Sequence, residues 1–79
     1  MNRRLTMIGF NNDELRRLRA RDEKSYRQLS NSISGELGVD ITITHLARLE
    51  TGLIQPRLDT AVYLAKYFDV PLESLVCFE

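Results

Sequence analysis

Tryptophan is absent from this chain, and cysteine and histidine occur once each, as Cys77 and His45. A lone cysteine excludes an internal disulfide framework and fits a reducing compartment. One cysteine and one histidine cannot furnish a structural zinc site of the usual Cys/His type. Two prolines and four glycines are too few and too scattered for a linker or a low-complexity segment. No apolar run approaches ~18 residues, so nothing reads as a membrane-spanning helix. MNRRLTMIGF opens with two arginines, but its apolar run is too short for a signal peptide. There is no Gly-rich phosphate loop, no His/Cys/Asp cluster at metal-ligand spacing and no Ser-centred nucleophile elbow. Those absences argue against an enzyme, a metal site and a cofactor.

A surplus of charge is missing too. Eleven Lys/Arg balance eleven Asp/Glu. Nucleic-acid binders draw much of their affinity from neutralising phosphates, so a net charge of zero is a poor start for one. The distribution is less even. Residues 1–30 hold eight Lys/Arg against four Asp/Glu, and residues 31–79 hold three against seven. The front of the chain is basic and the rear acidic.

Seventy-nine residues, 43% of them hydrophobic, suit one globular domain with one small core. Residues 1–10 read as an N-terminal arm, either flexible or a short β-prone strand that pairs with another chain. Residues 11–79 read as the domain. Asn11 or Asn12 can cap a first helix over roughly 12–22, with Leu15 and Leu18 inward and Arg16, Arg17, Arg19 and Arg21 around them. Ser25 and Gln28 form a capping-box pattern. Leu29, Ile33 and Leu37 then recur one turn apart, and Gly38 is a suitable stop. VDITIT alternates like a strand. A helix over 43–51 capped by Thr42 or Thr44, with Leu46 and Leu49 inward and residues 40–42 as an extended turn, accounts for it better. A fourth helix starts at Leu58 or Asp59 and carries Val62, Leu64, Ala65 and Phe68. Pro71 is suited to the first turn of a fifth over 71–77, with Leu72, Leu75 and Val76 apolar. The expectation is an all-α bundle of five short helices. Within it, residues 25–52 have the layout of a helix-turn-helix, whose second helix enters the major groove of DNA.

Five stretches carry a family resemblance: Leu15-x-x-Leu18-Arg19, Ser25-x-x-x-Leu29, Leu46-x-x-Leu49-Glu50-Thr51-Gly52, Pro56-Arg57-Leu58-x-Thr60, and the run from Leu64 to Leu75. In this order they resemble the repressor/Cro-type (XRE) helix-turn-helix family over roughly residues 12–76. The resemblance implies a five-helix lambda-repressor-like DNA-binding domain in the style of bacterial or phage regulators. The segment from Leu29 to Gly52 is about six residues longer than in the usual motif. That is enough for one more turn of helix two and a wider turn before helix three.

The resemblance also implies roles. Arg19 and Glu50 stand where family members pair helix one with the end of the recognition helix. Ile43, Thr44 and Arg48 fall on base-facing positions, with His45 beside them. Arginine can donate twice to guanine O6 and N7, threonine can bond either partner or touch a thymine methyl, and isoleucine can touch a methyl. Phosphate contacts fall to Ser25, Tyr26 and Arg27 at the start of helix two and to Gln55 and Arg57 in the loop after helix three. Leu53 and Ile54 replace the basic residues usual in that loop. His45 reads equally as a surface histidine, and Arg48 as a solvated arginine.

The expected function is a sequence-specific transcriptional regulator, a repressor by analogy. It would act as a homodimer on a double-stranded operator, under a possible regulatory protein, in the cytoplasm at the nucleoid. The apolar surplus of Tyr63, Tyr67, Phe68, Val76, Cys77 and Phe78 would be divided between the core and a dimer face. The alternative is a protein-binding module on the same scaffold: an antitoxin, anti-repressor or inhibitor.

Overall fold

The structure is a computed structural model that describes residues 7–78. Its elements run β1 (Met7–Phe10), α1 (Asn12–Arg21), α2 (Tyr26–Leu37), α3 (Ile43–Glu50), α4 (Leu58–Phe68), a single 3-10 turn (Leu72–Ser74) and β2 (Val76–Phe78). Helices α1, α2 and α3 begin where short polar side chains accept an unpaired N–H, whereas α4 starts after Arg57 with no side-chain cap. Asn11 accepts from the Glu14 N–H, and Thr42 accepts from the His45 N–H. At α2 the Gln28 N–H donates to Ser25 Oγ at 3.1 Å while the Ser25 N–H donates to Gln28 Oε1 at 2.9 Å. This is the reciprocal box its spacing predicts. Gly38 ends α2 in the left-handed region at φ 68°.

The core is built from one stripe per helix. Leu15 and Leu18 of α1, Leu29 and Ile33 of α2, Leu46 and Leu49 of α3, and Ala61, Leu64, Ala65 and Phe68 of α4 are buried together. Helix α3 packs on both α1 and α2, and α2 also packs on α4. The ambiguous VDITIT segment resolves as a turn and a helix start. Ile41 is buried, its carbonyl accepts from Ser30 Oγ at 2.6 Å, and Thr42 caps α3. The Ser30 bond pins the turn to the middle of α2, so the orientation of α3 is set from both of its ends.

The five-helix, all-α, lambda-repressor-like arrangement is not what forms. Among the described residues there are four α-helices and a two-stranded antiparallel sheet. The expected fifth helix fails after one 3-10 turn. Leu72, Leu75 and Val76 are apolar at helical spacing, which is why the segment reads as a helix. Val76, Cys77 and Phe78, however, alternate buried, exposed and half-buried, as a strand does. They are β-branched or aromatic apart from the cysteine, and Met7–Phe10 supplies the backbone partners. Phe10 pairs with Val76, Gly9 with Cys77 and Met7 with Phe78, with an irregularity at Ile8. The Asn11 N–H extends the ladder to the Leu75 carbonyl at 2.6 Å. Read from sequence as flexible or as pairing with another chain, the arm thus pairs, over Met7–Phe10, with its own C-terminal segment. Phe10 and Val76 join the core. The rest of the arm, 1–6, lies outside the described residues.

Two glycines separate propensity from conformation. Gly35 lies inside α2 with open space around the position of a Cβ, whereas Gly38 has positive φ. Gly35→Ala should stabilise the fold by about 0.5–1 kcal/mol. Gly38→Ala should destabilise it by about 1 kcal/mol. Urea unfolding of both variants should move the midpoint in opposite directions.

Candidate nucleic-acid interface

Helix α3 presents two different faces. Leu46, Leu49 and Glu50 point inward. At about 100° per residue, Thr44 and Arg48 then point outward, one turn apart, and both are exposed. Thr51, just past the helix, continues the same line. Its Oγ1 donates to the Ala47 carbonyl at 2.9 Å, which leaves the oxygen lone pairs outward. Sequence reasoning missed Thr51, although its spacing of seven from Thr44 was the available signal. Ile43 lies on one flank of this face, 39% exposed. His45 lies on the other flank, half-buried in a shallow depression shared with Asp40, Ile41, Thr42 and Thr60. The structure therefore brings Thr44 and Arg48 together, keeps Ile43 at their edge and turns His45 toward the start of α4.

The inner face is held by charge as well as by leucine. Glu50 is 2% exposed. Arg19 Nε donates to Glu50 Oε2 at 2.7 Å and a terminal guanidinium nitrogen donates to Oε1 at 2.8 Å. This parallel two-bond geometry is the strongest form of such a pair. The other terminal nitrogen of Arg19 donates to the Lys24 carbonyl, and the guanidinium lies 4.4 Å from the centroid of the Tyr26 ring. Arg16 approaches Glu50 Oε1 at 3.5 Å. Asn12 Nδ2 donates to the Glu50 carbonyl at 3.2 Å. The hydrogen bonds from Arg19 outweigh burial and hold the Glu50 carboxyl below the usual carboxylate range, with smaller help from the Tyr26 hydroxyl and Arg16.

Tyr26, to which the family resemblance gives a phosphate contact, is half-buried with its ring under the Arg19 guanidinium. Asn12, Arg16 and Tyr26 are the members of this cluster that sequence reasoning missed. The i, i+3 spacing of Arg16 and Arg19 was legible; the tyrosine's part was not.

Among the described residues of the basic front half, the four arginines of α1 are met by carboxylates. Arg17 bonds Glu14 at 2.6 and 2.7 Å, Arg21 bonds Asp22 at 3.0 Å, and Arg16 and Arg19 share Glu50. Among the described residues, Arg27 and Arg48 form no ion pair, and Arg57 only approaches Asp59 at 3.8 Å. Arg27 stands one turn before Ser30, the residue bonded to the turn ahead of α3. Its stripe on α2, which continues to Ser34, therefore borders the start of α3. Ser25 keeps its cap role while its hydroxyl proton remains available, and Gln55 is exposed in the loop after α3.

No protein-family model, no curated protein and no solved structure matches this chain. Among the described residues no group of three or more His, Cys, Asp or Glu is placed to hold a metal ion, and no helix is long and apolar enough to cross a membrane. What stands out is a short helix locked on one side and carrying Thr44 and Arg48 on the other, with Thr51 just past its end.

Arg19→Met should destabilise the fold by about 3 kcal/mol, because it strands a buried carboxylate. That is the lower end for a buried pair, since Arg19 itself is 23% exposed. Because the folded Glu50 carboxyl titrates below its unfolded value, its contribution is complete above about pH 4.3. It is lost as pH falls through the lower, folded value. Unfolding measured from neutral pH into acid should show a steeper loss in the wild type than in Glu50→Gln, which starts weaker and lacks this titration.

Proposed function

We propose that the chain is a sequence-specific DNA-binding regulator of the repressor/Cro type, placing α3 in the major groove as one half of a homodimer on a two-fold-related operator. The observation that carries this reading is the outward pair Thr44 and Arg48. Arg48 is exposed and, among the described residues, pairs with no carboxylate, on a helix whose opposite face is locked by Leu46, Leu49 and Glu50. An arginine held this way can meet guanine O6 and N7 with both donors, and Thr44 can bond a base edge or touch a thymine methyl. Ile43 supplies an apolar contact at the edge of the footprint. Arg27, Arg57, Gln55 and the Ser25 hydroxyl supply backbone contacts. Repression and residence at the nucleoid follow from operator binding in this reading.

The phosphate contacts are few. With two flanking arginines per monomer, affinity rests on dimerisation and falls with salt, each phosphate neutralised contributing about −0.9 to the log–log slope.

One observation favours a second reading. Leu53 is 72% exposed in the loop after α3, where a DNA binder gains more from a cation. A protein-binding module, such as an antitoxin, anti-repressor or inhibitor, would use Leu53 and Ile54 as its contact.

Selection from a pool of random duplexes at low and moderate salt, with wild type and Arg48→Ala, separates the two. Enrichment of a two-fold-related sequence that Arg48→Ala loses is the expected outcome, with a penalty of about 1–3 kcal/mol at the base pair read by Arg48. Weak binding without enrichment that vanishes as salt rises would overturn the DNA reading and leave the protein partner.

A further inference from the structure

Helix α4 buries Ala61, Leu64, Ala65 and Phe68. The helical repeat therefore turns Asp59, Val62, Tyr63 and Lys66 outward. Asp59 and Lys66 are exposed and Val62 and Tyr63 half-buried. Leu58, 49% exposed, borders this stripe, and Val62, Tyr63, Leu58 and Asp59 line a shallow open depression. The stripe thus reads acid, apolar pair, base along the helix axis. Neither charge has a strong partner of its own. Lys66 forms no ion pair among the described residues, and Asp59 meets only the exposed Arg57 at 3.8 Å and the neighbouring Thr60 N–H.

This order is complementary to itself when reversed. A two-fold axis between Val62 and Tyr63 sets α4 antiparallel to the α4 of another copy. Asp59 then faces the other copy's Lys66, Lys66 faces its Asp59, and Val62 faces its Tyr63. A closed two-fold interface requires this kind of self-matching patch. A parallel alignment would instead oppose like charges. We infer that α4 is the seat of a second copy of this chain, docked antiparallel through Val62 and Tyr63 with two Asp59–Lys66 pairs at its ends. One helix face buries less than the roughly 800 Å² per partner of a standard interface, so this dimer is weak in free solution. The inference supplies the interface for the dimer in the DNA-binding reading, and it rests on that reading only for its use.

Sedimentation equilibrium of the full chain without DNA, at micromolar to sub-millimolar concentrations, tests it. The variants are Lys66→Glu, Asp59→Lys and the double exchange, all at exposed positions, with helicity checked by circular dichroism. Self-association is expected in the wild type. Each single reversal should weaken it about tenfold, since two attractive rim pairs become repulsive, and the double exchange should restore it. A wild type that stays monomeric, single variants that associate as well as the wild type, or a double exchange that fails to restore association would each overturn the inference. A chain that dimerises this way but selects no operator loses the DNA reading and keeps this one. A chain that selects a two-fold operator and whose dimer ignores all three variants does the reverse.

Discussion

Glu50 is the buried charge on which the helical packing turns. A carboxylate taken out of water is tolerable only where hydrogen bonds replace its hydration. Here they come from Arg19, with Arg16 close by. Satisfying that one side chain brings the second half of α1 against the last turn of α3. The backbone of the same residue receives Asn12 from the first turn of α1, so both ends of α1 are referenced to one point. Tyr26 under the Arg19 guanidinium brings the start of α2 into the same cluster. Leucine packing alone is forgiving of small rotations. A bidentate pair is not, and it fixes which face of α3 is left for a partner.

The same chemistry decides which charges of a chain with no net charge stay unpaired. Carboxylates are spent on the α1 arginines, as Glu14 on Arg17, Asp22 on Arg21 and Glu50 on Arg19. Among the described residues Lys24, Arg27, Arg48 and Lys66 are left without one, and Asp13, Glu23, Glu36, Asp40, Asp69 and Glu73 without a cation. Net charge counts groups, whereas a partner meets only the charges not already paired. The α4 stripe applies the principle differently, since one acid and one base sit too far apart along the helix to meet within the chain but at the right separation to meet in an antiparallel copy.

Much of the helical layout was legible because it rests on local rules. Ser25 and Gln28 announced the start of α2, Gly38 its end, and Thr42 was one of two residues named as the cap of α3. The pairing of Arg19 with Glu50 was named through the family resemblance; burial and geometry had to come from the fold. The fifth helix was misread because Leu72, Leu75 and Val76 satisfy the helical period, while the strand that claims Val76–Phe78 lies at the other end of the chain. His45 and Tyr26 have outward roles by their positions in the motif; in the fold both are half-buried, His45 in a depression shared with Thr60 and Tyr26 with its ring under Arg19.

By itself, then, the sequence determined the bounds of α1 to α4 to within about a residue, which of their faces are apolar, and the absence of a Cys/His zinc set or a disulfide framework. These follow from capping chemistry, periodicity and composition, all of which act over a few residues. Only the tertiary structure decided that Met7–Phe10 and Val76–Phe78 form a sheet and that the Arg19–Glu50 pair is bidentate with its carboxylate buried. Each of those depends on contacts between residues tens of positions apart, and no local pattern encodes which of several chemically suitable partners will be within reach.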